Sequence, residues 1–437
     1  RIPARADSLC SRLRRRSSPA PPLQATCADV PPTPTRSLEP MRSPSLRHDS
    51  RRTRPSVADV QQLVALDMPV GDALVGEITR QWDAGHVVLP LDQRMTPAAR
   101  RRVALQMGAN RLRTTDSEED LPNPDASLVP LEPDDALVIA TSGSTGTPKG
   151  VVHTHTSLAH HARMASRRLS LSANDHWWLC LPIAHIGGFG VVVRAAHTGA
   201  RLTVNAHVDD QSIAAAREAG ATHTSVVPTH VVRHDLRDWQ LVLVGGQRAG
   251  QLPTNAIATY GLTETGGGVV YDGVPLDDVE VRVIDGEVLL RTPSMARTYR
   301  HAPLTLVDSW LATGDLGVLE PTSPDAQDRL RLRVDGRRDD LIVTGGNKVW
   351  PYAVEQRLLS HPLVADVAVR GVPDNEFGSA VCAFVVARHE ATPPTLDMLR
   401  GHVKETLAAY CAPRHLVLCD RIPRNSLGKV IAAELPA

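Results

Sequence analysis

From Val60 onward, short apolar runs alternate with segments of helical period, the pattern of an α/β fold. ALVIA at 136–140 predicts a buried strand, followed by a glycine-rich loop and a helix through VVHTHTSLAHHARMASRRL at 151–169. WWLCLPI (177–183), RLTV (201–204), HTSVV (223–227) and LVLVGG (241–246) continue the strand series, with helices such as AAAREAG (214–220) between them. A layered sheet covered by helices is the expected outcome. After Pro275 the texture changes: in VEVRVIDGEVLLRT (279–292), Asp285-Gly286 separates two alternating runs and predicts a β-hairpin, the start of a β-rich subdomain. Beyond Gly336, LIVT (341–344), a helix over 351–360, VADVAVRG (364–371), SAVCAFVVA (379–387), a helix near 396–407 and HLVL (415–418) read as a compact α+β unit. The fold class is therefore α/β, a large N-terminal layered domain with a β-rich subdomain and a small C-terminal α+β domain. No internal repeat is visible.

A length of 437 residues exceeds what one hydrophobic core usually supports, so two or more domains are expected. Lys plus Arg and Asp plus Glu both number 48, a balance that does not mark a nucleic-acid binder. Six scattered Cys without CxxC pairs suit reduced thiols. No run nears the roughly 18 apolar residues of a spanning helix, and the N-terminus lacks an apolar signal core, so a cytoplasmic protein without a membrane partner is expected. Residues 1–57 stand apart, with 12 Arg, no Lys, four acidic residues and 10 Pro, a balance of 12 − 4 = +8. Such a segment buries too little apolar surface to offset its ordering entropy and is expected to be a disordered tail. A basic tail could touch nucleic acid or act as a transit peptide. The lack of helical amphipathicity favours a solvated extension, and Met41 could be a later start.

The segment richest in chemistry is Thr141-Ser-Gly-Ser-Thr-Gly-Thr-Pro-Lys-Gly150, between a predicted strand and helix. Gly143, Gly146 and Gly150 let backbone approach a ligand; Thr141, Ser142, Ser144, Thr145 and Thr147 supply hydroxyl donors, and Lys149 a cation. This is a phosphate-cradling loop that does not spell a Walker sequence, because Gly150 follows Lys149 where Ser or Thr is needed.

TSGSTGTPKGVVHTH resembles the signature of the adenylate-forming superfamily of acyl-CoA synthetases, adenylation domains and luciferases. LPIAHIGG (181–188), YGLTET (260–265), TGD (313–315), DGRRDDLIVTGGNKVWP (335–351) and PRNSLGK (423–429) follow in the family's order, and GHVVLPLDQRMTPAARR (85–101) resembles its preceding motif. The resemblance spans nearly the whole chain after residue 130. It implies attack of a carboxylate on the α-phosphate of ATP, loss of pyrophosphate, and displacement of AMP by the thiol of CoA, with Mg²⁺ as the metal cofactor. An anion must approach a polyanion, so positioning and electrostatic stabilisation should dominate. By resemblance, Thr263 would hydrogen-bond the α-phosphate, Glu264 would hold Mg²⁺, and Tyr260 and Gly261 would flank the nucleotide with Gly245 and Gly246. Asp315 would accept both ribose hydroxyls and Arg337 would add a donor. Lys429 would deliver a cation to the carboxylate and α-phosphate together. Asp339 matches the hinge about which the family's mobile C-terminal domain rotates, which divides the chain into a core domain over 58–338 and a C-terminal domain over 339–437. Gly345 and Gly346 would flank the pantetheine tunnel, although as a bare pair they also suit a plain turn.

For the acid, LPIAHIGGFGVVVRAAHTGA (181–200) is the informative stretch. His185 matches a family position beside the acyl pocket. Arg194 interrupts the apolar run VVVRAA, and a buried guanidinium needs an anion, which favours an acid with a second carboxylate; an Arg turned to solvent is the alternative reading. With SVVPTHVVR (225–233) and GLTETGGGVVYDGVPLD (261–277), this stretch resembles the o-succinylbenzoate-CoA ligases of menaquinone biosynthesis, particularly the compact actinobacterial type. Ala184, where an aromatic is frequent, and Asn347-Lys348, where Glu-Asn is common, depart from the family pattern. Another acyl- or aryl-CoA synthetase, and a stand-alone adenylating enzyme that does not use CoA, are the rival activities. A nucleotide-binding regulator is disfavoured by the presence of both Glu264 and Lys429. Oligomeric state is not legible.

Overall fold

The structure, a computed structural model, describes residues 61–141, 148–205, 207–246, 251–322, 330–389, 392–424, 430–431 and 434–436. The expected disordered tail lies outside the described residues.

Two seven-stranded sheets carry the larger part of the chain. The first runs in spatial order Thr298–Tyr299, Lys149–Thr154, Asp135–Thr141, Val87–Pro90, Leu63–Asp67, Arg111–Thr114, Glu118–Asp120. The second runs Val274–Pro275, Gly267–Tyr271, Ala256–Leu262, Leu241–Val244, His223–Val226, His176–Leu179, Arg201–Val204. At their centres Leu63–Asp67 pairs in parallel with Val87–Pro90 and Arg111–Thr114, and Leu241–Val244 pairs in parallel with His223–Val226 and Ala256–Leu262. Leu63 to Leu66, Val87 to Pro90 and Leu241 to Val244 are the continuous apolar runs of strands covered on both faces, and Leu63 to Leu66 and Leu137 to Ile139 are fully buried. The helices His155–Leu169 and Ile186–Thr198 pack between the two sheets in one apolar core. A four-stranded sheet follows, in the order Glu280–Ile284, Glu287–Arg291, Leu311–Pro321, Leu330–Arg337. Its first hairpin turns at Asp285-Gly286 with both φ angles positive (51° and 80°), the conformation a two-residue hairpin loop needs.

One expected element changes. The helix predicted from residue 151 begins only at His155, because Val151 to Thr154 continue the strand Lys149–Thr154 that pairs with Asp135–Thr141. β-Branched Val151 and Val152 favour the pleated conformation, and Thr154 caps the helix through a reciprocal box with Ser157.

After Arg337 come a short hairpin, Ile342–Thr344 with Asn347–Val349, and a sheet of Val364–Asp374, Gly378–Ala387 and His415–Leu418, packed with the helices Pro351–Leu359 and Leu396–Lys404. The apolar clusters divide with the chain: three contain residues up to Val334, and two contain residues from Ile342 onward.

Candidate active site

Thr141 and Lys149 face each other across the two strands that bracket the glycine-rich loop, with the Thr141 hydroxyl on the Lys149 carbonyl at 3.3 Å. Ser142, Gly143, Ser144, Thr145 and Gly146 lie outside the described residues, as does Lys429. The base of the loop is held by the segment Ser294 to Arg300. Arg297 donates to both carboxylate oxygens of fully buried Asp135, at 2.7 and 2.6 Å, and the Arg300 amide donates to the Gly150 carbonyl at 2.7 Å. Buried Arg300 also donates to the carbonyls of Met107 and Val129.

The same segment meets the turn Thr263–Thr265 in the second sheet. Three successive carbonyls of that turn have partners: Thr263 accepts from His153 Nε2 at 2.7 Å, Glu264 from the Ala296 amide at 2.7 Å, and Thr265 from the Ser294 hydroxyl at 2.8 Å. A carbonyl only accepts, so His153 carries its proton on Nε2. Burial pushes the His153 imidazole down to about 4. His161, next to it, donates to the Gly268 carbonyl at 2.9 Å and is pushed down to about 3 by burial and by the charge of Arg194. The Glu264 carboxylate itself accepts from the Tyr299 hydroxyl at 2.8 Å, and the Lys149 ammonium sits 5.3 Å from the centre of the Tyr299 ring. Burial and the neighbouring carboxylate raise the Tyr299 pKa, so the phenol stays neutral and donates.

Tyr260, Asp315 and Arg337 come together at a second point. The Tyr260 hydroxyl donates to Asp315 Oδ2 at 2.8 Å, and Arg337 reaches Asp315 Oδ1 at 3.3 Å and the Thr313 carbonyl at 2.9 Å. Burial and Asp315 push the Tyr260 pKa up. Gly261 must be glycine, since a Cβ there would stand 2.0 Å from the Gly267 carbonyl oxygen. Gly245 and Gly246 follow Leu241–Val244, the parallel neighbour of the strand that carries Tyr260.

His185 precedes the helix Ile186–Thr198, and its Nε2 lies 3.4 Å from Asp92 Oδ2 and 3.0 Å from Arg94 Nη2. Burial opposes ionisation of Asp92, but the bonds from His185 and Arg94 outweigh it and hold the carboxyl well below the usual range. Arg194 is turned inward, 4 % exposed, which removes the solvent-facing alternative. It donates to the Ser225 hydroxyl at 3.0 Å and stacks 4.9 Å over Trp177, while its Nε is buried without a hydrogen-bond partner. Among the described residues no carboxylate pairs with it, and burial lowers its pKa.

Beyond the core, Asp339 occupies an exposed 3₁₀ turn, Arg338–Asp340, that follows Leu330–Arg337. Gly345 and Gly346 form the two-residue turn of the hairpin Ile342–Thr344/Asn347–Val349, with the Gly345 amide on the Phe377 carbonyl at 3.0 Å.

Sequence reasoning does not single out Tyr299, His153, Ser294, Ser225 or Asp92. Asp92 lies within the motif at 85–101 and His153 within TSGSTGTPKGVVHTH, so their segments are marked although their contacts are not.

Comparison with known proteins matches residues 95–300 to the AMP-binding enzyme family and residues 353–429 to the AMP-binding enzyme C-terminal domain. The chain belongs to the AMP-binding enzyme family. A probable 2-succinylbenzoate–CoA ligase of Mycobacterium tuberculosis is 37% identical over 331 residues, covering 70% of this chain and 85% of that protein. The 2-succinylbenzoate–CoA ligase of Listeria monocytogenes EGD-e is 29% identical over 328 residues, 68% of each chain. In fold, the chain is similar to o-succinylbenzoate CoA synthetase from Bacillus subtilis in complex with its acyl-adenylate intermediate, with a TM-score of 0.74, 24% identity, and coverage of 85% of this chain and 87% of that one.

Proposed function

We infer that this chain is an ATP-dependent acid–CoA ligase, AMP-forming, whose acid is o-succinylbenzoate. A carboxylate oxygen of the acid attacks the α-phosphorus of ATP and pyrophosphate leaves. The CoA sulfur then attacks the acyl carbon and AMP leaves, giving the thioester. ATP and CoA as substrates support a cytoplasmic location, and the likeness to 2-succinylbenzoate–CoA ligases supports a role in menaquinone synthesis.

The observation that carries the choice of acid is Arg194, a buried cation with no carboxylate among the described residues to balance it. An uncompensated buried charge is costly, and a second carboxylate on the substrate would supply the missing partner. Ser225 would orient that guanidinium, and His185, held by Asp92, would border the acyl group.

Roles on the nucleotide side follow the same reading. Ser142, Gly143, Ser144, Thr145 and Gly146, with Thr141 and Lys149, cradle the phosphates; Thr263 donates to the α-phosphate; Asp315 accepts from the ribose, flanked by Tyr260, Gly261, Gly245, Gly246 and Arg337. Lys429 brings a cation to the reacting oxygens. Asp339 is the hinge between domains over 58–338 and 339–437, a boundary supported by the apolar clusters on either side of it. Gly345 and Gly346 flank the thiol's path.

Among the described residues no group of three or more His, Cys, Asp or Glu could hold a metal. Mg²⁺ fits here nonetheless, because it binds through one or two carboxylates completed by phosphate oxygens and water, and Glu264 supplies one such carboxylate. When bound, the ion neutralises phosphate charge. Pyrophosphate release assayed with a panel of acids, with and without CoA, tests the reading: o-succinylbenzoate should give release, and CoA should convert the adenylate to thioester. Release with monocarboxylates but not with o-succinylbenzoate would overturn the choice of acid.

A further inference from the structure

Glu264 sits in a turn whose backbone is fixed by neighbours, but a carboxylate that holds a metal must also be aimed. Its main-chain carbonyl accepts from the Ala296 amide at 2.7 Å. The one hydrogen bond to that carboxylate among the described residues comes from the Tyr299 hydroxyl, 2.8 Å from Oε1. We propose that Tyr299 is a positioning residue that aims the Glu264 carboxylate at the metal of bound ATP, an inference that rests on Glu264 being the Mg²⁺ ligand.

The placement of Tyr299 explains how it can do this. It belongs to the two-residue strand Thr298–Tyr299, which adds to the edge of the first sheet with Tyr299 opposite Val151. Its neighbours are pinned, Arg297 by Asp135 and Arg300 by the Gly150 carbonyl, so the phenol is delivered from a fixed backbone. From there it reaches the turn of the second sheet. The choice of a phenol also matters. A Lys or Arg in its place would cancel the carboxylate charge and compete with the cation, whereas a neutral hydroxyl occupies Oε1, leaves Oε2 without a hydrogen bond among the described residues, and preserves the full negative charge. The Lys149 ammonium lies over the same ring, 5.3 Å from its centre.

The test uses the full chain and Mn²⁺ as a spectroscopic substitute for Mg²⁺. Electron paramagnetic resonance would follow Mn²⁺ binding in the presence of an α,β-methylene ATP analogue, for the parent, Tyr299→Phe, Glu264→Gln and the double variant. Tyr299→Phe removes only the hydroxyl; it should weaken Mn²⁺ binding on the order of tenfold, the loss of a hydrogen bond to a charged group, and raise the half-saturating Mg²⁺ in pyrophosphate exchange by a similar factor. Metal-free affinity for the analogue should stay within twofold, and kcat should recover at saturating Mg²⁺. In the Glu264→Gln background the Phe substitution should add nothing, because the carboxylate to be aimed is gone. If Glu264→Gln weakens Mn²⁺ binding while Tyr299→Phe stays within twofold of the parent, Tyr299 does not position the carboxylate. If Glu264→Gln leaves Mn²⁺ binding intact, the metal role of Glu264 fails and this proposal fails with it. A uniform loss of kcat in Tyr299→Phe, not rescued by Mg²⁺, would reduce the residue to a packing role.

Discussion

The turn Thr263–Thr265 and the surroundings of Arg194 are opposites. In the turn, each of three successive carbonyls has a donor, and the Glu264 side chain has one as well. Around Arg194, a buried guanidinium stacks on Trp177 and, among the described residues, hydrogen-bonds the Ser225 hydroxyl without an ion pair, with Nε left over. On the proposed function, the turn would be pre-organised within the protein for every turnover, and the guanidinium proposed to select the acid would gain its partner only from the ligand. Damage to the turn should therefore register as lost stability, and damage at Arg194 as lost selectivity with stability intact or improved.

The largest effect should come from acid. His153 and His161 hold the turn and its continuation as neutral imidazoles pushed down to about 4 and about 3, whereas unfolded His titrates near 6.5. Between those values the unfolded chain binds protons that the folded chain refuses, so the contribution is fully present above pH 6.5 and is lost as pH falls toward 4 and then 3. These displacements correspond to about 3 kcal/mol for His153 and about 5 kcal/mol for His161, of which about 3 kcal/mol each falls above pH 4. Urea denaturation between pH 7 and 4 should show it, and His153→Gln, which keeps a donor for the Thr263 carbonyl, should flatten the acid limb. An unchanged limb would show that His153 does not remain neutral.

Next in size is Arg297→Ala, which strips the partner from fully buried Asp135 and should cost about 3 to 5 kcal/mol. The melting temperature checks it; a change below about 1 kcal/mol would mean water reaches Asp135.

Arg194→Met sharpens the contrast. Replacing an unpaired buried cation by an apolar side chain of similar length should leave the melting temperature unchanged or raise it. At the same time kcat/KM for o-succinylbenzoate should fall roughly 30-fold, while the KM for ATP and the turnover of benzoate-like monocarboxylates stay near the parent values. A variant that loses stability and all acids together would place Arg194 in the scaffold.

How much of this contrast could be read in the sequence differs between its two halves. The glycine-rich loop, the YGLTET turn and the Asp285-Gly286 hairpin are local, set by residues adjacent in the chain, and they stand out there. Where the helix after the loop begins was not legible, because Val151 and Val152 fit a helical repeat as well as a strand until the pairing with Asp135–Thr141 decides. Arg194 was visible as an interruption, but its inward phase depends on packing between two sheets, which no single helix encodes. Tyr299 lies 35 residues after Glu264 on a strand of two residues, too short for any periodic signal, and only the meeting of the two sheets brings them together.

The smallest effect tests the brace one bond at a time. Ser294 is fully buried, and its hydroxyl donates to the Thr265 carbonyl at 2.8 Å and pairs with the Thr292 hydroxyl at 2.9 Å. Ser294→Ala keeps the backbone and nearly the volume but leaves the carbonyl without its donor, so a loss of about 1 kcal/mol is expected. Thr265 spends its own hydroxyl on the carbonyls of Leu262 and Gly267, at 3.0 and 2.8 Å, and cannot supply a replacement from within the turn. The cost should therefore appear in the melting temperature as a few °C. Because Glu264 retains both the Ala296 amide and Tyr299, the metal requirement should stay within about twofold of the parent. A stability loss with the Mg²⁺ dependence unchanged would separate the brace of the turn from the aiming of its carboxylate. A Mg²⁺ requirement that rises with Ser294→Ala would show that the turn responds as one unit, in which case satisfaction of its carbonyls and orientation of Glu264 are a single property.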